Sequence, residues 1–443
     1  MTFQELGLSK SVLQALAAKN YTVPTPIQQQ AIPHALAGKD MLGIAQTGTG
    51  KTAAFMLPSI DRLVASDRKA GRRSCRMLVL APTRELAGQI AENAKEYGTL
   101  AGLTVSSIVG GTSVGKDRQK LMGGVDILVA TPGRLLDMID QQALVLNAIE
   151  ILVLDEADQM LDLGFIHALK RIVALVPKGR QTLLFSATMP KSIRQLADNY
   201  LTDPVQVSVA PESTTAERVS QYVTHVNQAE KQALLTLALR KGLASDEIDR
   251  VLIFTRTKHG ADRVVKFLGR SNISANAIHG NKSQPQRERA LEEFRSGKAR
   301  VLVATDIAAR GIDVTGISHV FNFELPNVAE QYVHRIGRTA RAGREGVALS
   351  FCAPDERDYL RDIEKLTRIK LVQVPLPEGL RAEVEAIAAA ARAAPPERHS
   401  GGRPERTQRG PANAGRRPDK RKVDPQGVTK VQPRRNPRPA ARG

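Results

Sequence analysis

Strand-like apolar runs alternate with helical patterns along this chain, and they do so in two separate sets. The runs of the first set span 41–44, 77–80, 105–108, 127–129, 151–154 and 182–185, and those of the second span 251–254, 275–278, 301–303, 320–323 and 347–351. Short, nearly continuous apolar runs are typical of parallel strands that are buried on both faces. Because helical patterns separate them, the sequence predicts an α/β fold with two parallel-sheet domains in tandem.

A glycine-rich segment follows the first of these runs and opens a helical pattern. It comprises Ala45, Gln46, Thr47, Gly48, Thr49, Gly50, Lys51 and Thr52. The N–H groups of such a turn, together with the N-terminus of the helix, bind phosphate groups. In this arrangement Lys51 reaches the terminal phosphates and the hydroxyl of Thr52 binds Mg²⁺. Ala45 departs from the general loop pattern, which has Gly at the first position.

Two carboxylates, Asp155 and Glu156, come directly after the apolar run 151–154. Ligands of open α/β sheets bind at the carboxyl ends of the strands, which is where these side chains are expected. Asp155 is predicted to hold the metal ion, directly or through water, and Glu156 to orient the attacking water. A plain acidic helix cap is the alternative, and the phosphate loop disfavours it. The two segments together predict a nucleoside triphosphatase.

A proline-containing segment, 21–28, precedes the phosphate loop and ends at Gln28. The prolines favour an extended approach, and a glutamine amide can pair with N6 and N7 of adenine. Phe3 and Tyr21 are candidates to stack on the purine, with local packing as the alternative interpretation.

The last fifty residues, 394–443, have a composition that differs from the rest of the chain. They contain 14 Lys and Arg against 4 Asp and Glu, out of a net charge of +19, and no Leu, Ile, Phe, Tyr or Met. Such a segment cannot bury enough apolar surface to offset the entropy of ordering, so a disordered Arg-rich tail is predicted. Its charge favours a nucleic-acid backbone as partner, and a solubilising tail is the alternative.

Cysteine content and hydropathy indicate the compartment. Cys75 and Cys352 are the only cysteines, each in or beside a strand-like run, which predicts two buried thiols rather than a disulfide or metal site. No apolar stretch is long enough to span a membrane, and the first residues lack the pattern of a signal peptide. The sequence therefore predicts a cytoplasmic protein with no membrane partner.

The segments above, with further short motifs in the same order, resemble the DEAD-box ATP-dependent RNA helicases of superfamily 2. The resemblance runs from about Phe3 to about Pro377 and includes the motifs at 20–28, 45–52, 82–87, 110–111, 131–134, 155–158, 186–188, 254–257, 280–287, 304–313 and 334–341. Asn20 and Ala340 stand where glycine is usual in this family. Residues 280–284 resemble the bacterial RhlE-type subgroup.

The resemblance implies two RecA-like domains that use ATP and Mg²⁺ and bind RNA without sequence preference. It implies RNA-stimulated ATP hydrolysis coupled to local, non-processive unwinding of short duplexes, with ribosomal precursors or RNA-degradation complexes as cellular partners. The corresponding boundaries are a Gln-motif segment at 1–30, the ATP-binding domain at 31–205, a linker at 206–220, the second domain at 221–377, a helical extension at 378–393 and the tail at 394–443.

The resemblance also implies roles for individual residues. Gln28 reads adenine, Asp313 reaches the ribose, and Arg338 and Arg341 act as arginine fingers on the γ-phosphate. The residues that link the ATP and RNA sites are Asp158, Ser186, Thr188, His334 and Arg335. Those that face RNA are Thr83, Arg84, Gly111, Thr131, Arg134, Arg256, Gly280, Gln284, Arg287, Thr305, Asp306 and Arg310.

Three alternative functions stay open on the sequence. The first is a DNA-directed translocase of the same superfamily, and the second is an ATP-switched RNA clamp or assembly scaffold that rarely unwinds. The third is passive RNA annealing by the basic tail alone, which needs no ATP.

Overall fold

The computed structural model describes residues 1–46, 48–66, 68–209, 219–309, 314, 316–340 and 345–393. The predicted tail at 394–443 lies outside the described residues, and so do Thr47, Arg310, Asp313 and Arg341. Among the residues that the structure does describe, no helix is both long enough and apolar enough to cross a membrane.

The strands follow the predicted runs closely, with additions toward one end of each sheet. The strands are β1 (Met41–Ile44), β2 (Cys75–Leu80), β3 (Val105–Ile108), β4 (Val125–Ala130), β5 (Ile151–Leu154), β6 (Gln181–Ser186), β7 (Val205–Ser208), β8 (Val219–His225), β9 (Arg250–Thr255), β10 (Ala275–Ile278), β11 (Val301–Thr305), β12 (Ile317–Asn322), β13 (Gly346–Cys352) and β14 (Val372–Gln373).

Helices separate most consecutive strands and cover the sheets. The helices are α1 (Lys10–Ala18), α2 (Pro26–Leu36), α3 (Lys51–Ala65), α4 (Arg84–Gly98), α5 (Val114–Leu121), α6 (Pro132–Asp140), α7 (Ala157–Asp162), α8 (Ile166–Leu175), α9 (Lys191–Tyr200), α10 (Lys231–Ala244), α11 (Lys258–Arg270), α12 (Gln284–Arg295), α13 (Asp306–Ala309), α14 (Ala329–Ile336), α15 (Arg357–Thr367) and α16 (Leu380–Ala393). Short 3-10 helices lie at Gln4–Leu6, Thr99–Ala101 and Pro354–Glu356.

The first sheet has the strand order β3-β4-β2-β5-β6-β1-β7, and all its pairings are parallel. Strand β5 shows why such a sheet needs a continuous apolar sequence. Ile151 and Val153 belong to the hydrophobic core on one face, and Leu152 and Leu154 belong to the core on the other. Both faces are therefore buried under helices, as the uninterrupted run predicted.

The second sheet repeats this arrangement with the order β10-β11-β9-β12-β13-β8-β14, again all parallel. In β9 the apolar residues alternate between two cores, with Val251 and Ile253 on one face and Leu252 and Phe254 on the other. The predicted α/β fold with two parallel sheets is confirmed.

The region predicted as a linker, 206–220, contains more regular structure than the sequence indicated. Strand β7 pairs with β1 in register from Met41 opposite Val205, and β8 begins at Val219. Residues 210–218 lie outside the described part of the chain. The strand was missed because β7 is an edge strand, where Val207 is buried between exposed polar neighbours. Pro204 and this alternation gave the segment the composition of a loop.

The strand order places three predicted motifs side by side at the carboxyl edge of the first sheet. Strand β6 lies between β1 and β5. The phosphate loop follows β1, Ser186 ends β6, and Asp155 follows β5. Because parallel strands end at the same edge, segments far apart in the sequence meet there.

Candidate active site

The phosphate loop is shaped by two glycines in left-handed conformations. Gly48 has φ 85° and Gly50 has φ 94°, and Gly50 is the N-cap of α3. A Cβ atom on Gly50 would lie 2.4 Å from Nε2 of Gln28, so a side chain there would displace that amide. The loop therefore needs glycine at position 50 for both its backbone conformation and its packing.

Lys51 is the first residue of α3 and is only 6% exposed. Its Nζ atom is buried and makes no hydrogen bond with any residue that the structure describes. A buried ammonium group without a hydrogen-bond partner is unfavourable, so a bound anion within reach of Nζ would stabilise it. The terminal phosphates of a nucleotide at the start of α3 would supply that anion.

Asp155 and Glu156 lie at the end of β5 and are each 2% exposed. Asp155 Oδ1 accepts the N–H of Glu156 at 3.0 Å, and Glu156 adopts a left-handed conformation with φ 52°. The pKa of the Asp155 carboxyl is raised to about 7, chiefly by burial and also by the neighbouring Glu156, while Lys51 acts in the opposite direction. A cation beside Asp155 would relieve this buried negative charge.

The oxygen atoms of Asp155 and Thr52 suit Mg²⁺, which takes few protein ligands, better than they suit a metal ion whose ligands all come from protein. Among the described residues, no group of three or more His, Cys, Asp or Glu side chains could hold a metal ion. Mg²⁺ usually keeps several waters and takes one or two protein oxygens together with substrate phosphates. The Asp155 carboxylate and the Thr52 hydroxyl provide such a pair of donors at one edge of the sheet.

Two hydrogen bonds hold the side-chain amide of Gln28 and leave it able to make further hydrogen bonds to a nucleotide base. Oε1 accepts the N–H of Thr25 at 3.0 Å, and Nε2 donates to the carbonyl of Gly50 at 3.1 Å. A glutamine amide has two donor hydrogens and two acceptor lone pairs, so each end can make one further hydrogen bond. The contact with Gly50 also joins the adenine-reading segment to the phosphate loop.

A cavity of about 680 Å³ connects these groups. Its lining includes Phe3, Tyr21, Gln28, Lys51 and Asp155. Phe3 is largely buried in the hydrophobic core of the first domain, while Tyr21 is exposed. Stacking on a purine and local packing are therefore compatible roles for Phe3, because its side chain packs in the core and also forms part of the cavity wall.

Asp158 connects the acidic motif to the segment after β6. Its Oδ2 atom accepts hydrogen bonds from the N–H of Ala187 at 3.1 Å, the N–H of Thr188 at 3.0 Å and the Thr188 hydroxyl at 2.9 Å. The Ser186 hydroxyl donates to the carbonyl of Thr188 at 2.7 Å. The predicted coupling residues of the first domain are therefore in direct contact.

The predicted RNA face of the first domain gathers around a glycine loop at 110–111. A Cβ atom on Gly111 would lie 2.2 Å from Nη1 of Arg84, so the guanidinium group rests against this glycine. Burial lowers the pKa of Arg84, and the nearby Arg287 lowers it further. Positively charged side chains therefore lie close together at a partly buried site beside Gly111, which favours binding of an anionic ligand.

Arg134 supports this loop from beneath rather than projecting into solvent. It is buried, donates to the carbonyl of Val109 at 3.1 Å and to that of Thr112 at 2.6 Å, and lies 3.6 Å from Asp117. Thr83 and Thr131 are the N-caps of α4 and α6. Arg134 was predicted to face RNA, and the contacts described show it holding the backbone of the glycine loop.

Arg335 organises the corresponding edge of the second domain. Its guanidinium group binds both carboxylate oxygens of Asp306, at 2.6 and 2.8 Å, and donates to Asn322 and to the carbonyl of Glu324. It also lies over the ring of Phe254, 5.0 Å from the centroid. Asp306 is therefore held by protein, and Thr305 lies beside it at the end of β11.

The arginine finger candidate Arg338 is buried in the second domain. Its Nε atom donates to the carbonyl of His334 at 3.3 Å, and the side chain borders a small cavity with Asp306 and Ala309. The other candidate, Arg341, lies outside the described residues.

Arg256 was predicted to face RNA and is held by three groups of the second domain. Its Nη2 atom is 3.1 Å from Glu356, its Nη1 atom is 3.2 Å from Asn327, and its N–H donates to Glu324 at 2.8 Å. Glu356 is fully buried and also forms an ion pair with Lys231. Nothing in the sequence pattern indicated this buried carboxylate.

Within the described part of the chain, an ion pair between Arg287 and Glu85 joins the two domains. Nε of Arg287 donates to Oε1 of Glu85 at 2.6 Å, and Nη1 donates to the carbonyl of His279 at 3.2 Å. The neighbouring Gln284 donates to Glu288 at 2.9 Å, and a Cβ atom on Gly280 would meet no atom within 4 Å. The role of Glu85 was missed, although a lone carboxylate between Arg84 and apolar residues was a usable signal.

Family profiles match both halves of the chain. The profile described as DEAD/DEAH box helicase matches residues 25–196, and the one described as helicase conserved C-terminal domain matches residues 230–343. The chain is 42% identical over 390 residues to the DEAD-box ATP-dependent RNA helicase CshA of Bacillus cereus (strain ATCC 10987 / NRS 248), covering 87% of this chain and 73% of that protein. It is 44% identical over 371 residues to the protein of the same name from Streptococcus pneumoniae serotype 4, covering 84% and 69%.

Two solved structures are similar over most of the chain. S. cerevisiae Dbp5 bound to RNA and ADP BeF3 has a TM-score of 0.74 at 32% identity, covering 88% of this chain and 99% of that one. Mss116p bound to ssRNA and AMP-PNP has a TM-score of 0.77 at 28% identity, covering 87% and 81%. These similarities confirm the tandem RecA-like architecture and the predicted family, while the RhlE-type subgroup stays a prediction.

Proposed function

This chain belongs to the DEAD-box ATP-dependent RNA helicases, and on that premise we propose that it opens short RNA duplexes locally, one binding event at a time. It is an RNA-stimulated ATPase that binds ATP and RNA. The proposal concerns which residues perform these steps and how far a single event unwinds.

The buried Nζ atom of Lys51 is the observation that carries the proposal. It lines the same cavity as Gln28, Asp155 and Glu156, so one bound ATP would meet all four side chains. The adenine would pair with Gln28, and the terminal phosphates would lie against the loop of Gly48 and Gly50 and against Lys51.

Thr52 and Asp155 would hold Mg²⁺, which neutralises charge on the phosphates when it is bound. Glu156 is placed next to Asp155, at the buried strand end, and we assign it the orientation of the attacking water. Arg338 would stabilise the negative charge of the transition state from the second domain. Arg341, Asp313, Arg310 and Thr47, which lie outside the described residues, keep the roles that the resemblance implies.

RNA would bind across both domains, beside the glycine loop of the first and the ends of β9 and β11 in the second. Phosphate and sugar contacts carry little sequence information, so the core would accept RNA of any sequence. Opening about five base pairs costs roughly 7 kcal/mol at about 1.4 kcal/mol per step. One closure of the two domains could meet that cost for a short duplex but not for a long one.

We further propose that the chain acts in the cytoplasm on ribosomal precursors or RNA-degradation complexes. The two buried thiols, Cys75 and Cys352, fit a reducing compartment, and sequence-independent binding fits varied structured RNAs. Pull-down of the RNA and protein bound to the chain in cells tests this, and recovery of neither class of complex would contradict it.

The activity is tested by ATPase rates without nucleic acid, with RNA and with DNA, followed by strand displacement on a short and a long RNA duplex. We expect stimulation by RNA and displacement of the short duplex alone, with both lost in Lys51→Ala. Stimulation by duplex DNA would indicate the translocase. Full biological activity of Glu156→Gln would indicate the clamp, and strand annealing without ATP would indicate the basic tail.

A further inference from the structure

Helices α4 and α12 form facing walls between the two domains. The ion pair of Glu85 and Arg287 joins them within the first two turns of each helix. About two turns further on, Arg295 of α12 lines the nucleotide cavity together with Gln89 and Glu92 of α4. Since an α-helix has 3.6 residues per turn, the two helices run in the same direction along the cavity.

Glu92 is an acidic residue on the α4 side of this cavity. Its neighbour Glu96 forms an ion pair with Lys19, and on the opposite helix Glu293 pairs with Arg289. The side chain of Glu92 is exposed and makes no hydrogen bond or ion pair with any residue that the structure describes, although it borders the same cavity as Arg295.

We propose that Glu92 and Arg295 form an ion pair across the mouth of the nucleotide cavity when the domains close, and that this pair slows nucleotide release. The inference rests on the proposed binding of ATP in this cavity. Glu92 lies one helical turn before Glu96 on α4, and the ion pair of Glu96 with Lys19, which lies over the ring of Tyr21, places this wall at the adenine end of the cavity rather than at the phosphate end. Arg295 is therefore a positioning residue that acts on the closed state, with no part in the chemistry at Asp155.

The pairing is tested by charge reversal in the full-length protein. Release of a fluorescent ADP analogue is measured in the presence of RNA for Arg295→Glu, for Glu92→Arg and for the double variant. Arg289→Glu is the matched control, because Arg289 is exposed on the same helix and does not line the cavity. An exposed ion pair changes an equilibrium by up to about fivefold, so each single reversal should speed release about two- to fivefold.

The double reversal restores opposite charges and should return release close to the wild-type rate, and high salt should remove the differences between variants. Arg289→Glu should release at the wild-type rate. The proposal is overturned if both single variants behave like the control, or if the double variant sums their effects instead of restoring the rate.

A crosslink separates failure of this inference from failure of the proposed function. Both native cysteines, Cys75 and Cys352, are buried, so introduced thiols would be the exposed ones. A short bis-maleimide should join Glu92→Cys/Arg295→Cys in higher yield than Glu92→Cys/Arg289→Cys, without nucleotide and more so with RNA and nucleotide. Equal yields would overturn the pairing. A wild-type chain that bound no ADP analogue would instead overturn the proposed function, and the crosslink without nucleotide would still decide the pairing.

Discussion

The ion pair of Glu85 and Arg287 should control how strongly the two domains associate on RNA. The pair connects a side chain of α4 to a side chain of α12. The distance between Oε1 of Glu85 and Nε of Arg287 is 2.6 Å. We predict that Glu85→Gln or Arg287→Gln lowers RNA-stimulated kcat/KM, because each substitution removes one charge of a pair that joins the two domains.

The structure sets the size of this effect. The side chains of Arg287 and Glu85 are 10% and 3% exposed. Two unit charges about 4 Å apart attract by about 4 kcal/mol at an effective dielectric constant near 20, and desolvation offsets part of this. Oε2 of Glu85 makes no hydrogen bond with any described residue, so the pair has one direct bond rather than two. We expect a coupling energy of about 2–3 kcal/mol, which is roughly 30- to 150-fold in kcat/KM.

The assay is a double-mutant cycle on ATPase rates at limiting RNA. The double variant should lose little more than either single variant, because the second substitution removes a partner that is already unpaired. Asp140→Asn is the control, since Asp140 forms an exposed ion pair with Arg171 inside the first domain. Denaturant unfolding should report equal stability of the first domain in all variants. A coupling energy below about 0.5 kcal/mol would refute the reasoning, because distant residues already show that much non-additivity.

Three further predictions concern the coupling segment, the second domain and the tail. Thr188→Val removes one of the hydrogen bonds to Asp158, worth about 1 kcal/mol, and should lower the strand displacement per ATP hydrolysed, measured against ATPase rate in the same reaction. Lys231→Met removes one ion-pair partner of the buried Glu356 carboxylate, which keeps its contact with Arg256, and should destabilise the second domain by about 1.5–3 kcal/mol in denaturant unfolding, whereas an unchanged midpoint would contradict a buried charge pair. Removal of residues 394–443 should raise the KM for RNA and flatten its salt dependence, with RNA-saturated kcat unchanged; equal RNA affinity at low and moderate salt would contradict a tethering tail.

The central strands could be predicted from sequence because burial on both faces demands an uninterrupted apolar run. The run predicted for β5 spans residues 151–154, and the strand in the structure has the same bounds. Edge strands carry a weaker signal, since they have one strand neighbour and lie partly in solvent. The two-residue β14 and the alternating β7 have compositions that loops share.

The nucleotide site could be predicted for a different reason. Its residues are adjacent in sequence within each motif, and the order of parallel strands then places the motifs together. Lys51 and Asp155 could be predicted without knowledge of side-chain contacts, because each lies in a segment that follows a strand of the same sheet. What the sequence could not show is the orphaned Nζ of Lys51, which depends on how the buried loop packs.

Charged residues in the RNA motifs were harder to interpret, because a guanidinium group binds a carboxylate or carbonyl as well as it binds a phosphate. Arg134 and Arg256 both lie in segments that follow a strand, and both are held by protein groups in the structure. Their partners are distant in sequence, as Glu356 is from Arg256. Only the fold brings those partners into reach, so pattern alone could not separate a residue that touches RNA from one that shapes the surface.

This distinction bears on how the second domain communicates between ATP and RNA. Arg335 binds Asp306 after β11, Asn322 at the end of β12 and the ring of Phe254 at the end of β9. Because one buried guanidinium fixes the ends of three neighbouring strands, a displacement at one strand end must strain the other two. We therefore expect these three strand ends of the second domain to move as one unit. We therefore expect the signal between the two ligands to be carried by the approach of whole domains, through contacts such as Glu85 with Arg287, rather than by rearrangement within the second sheet.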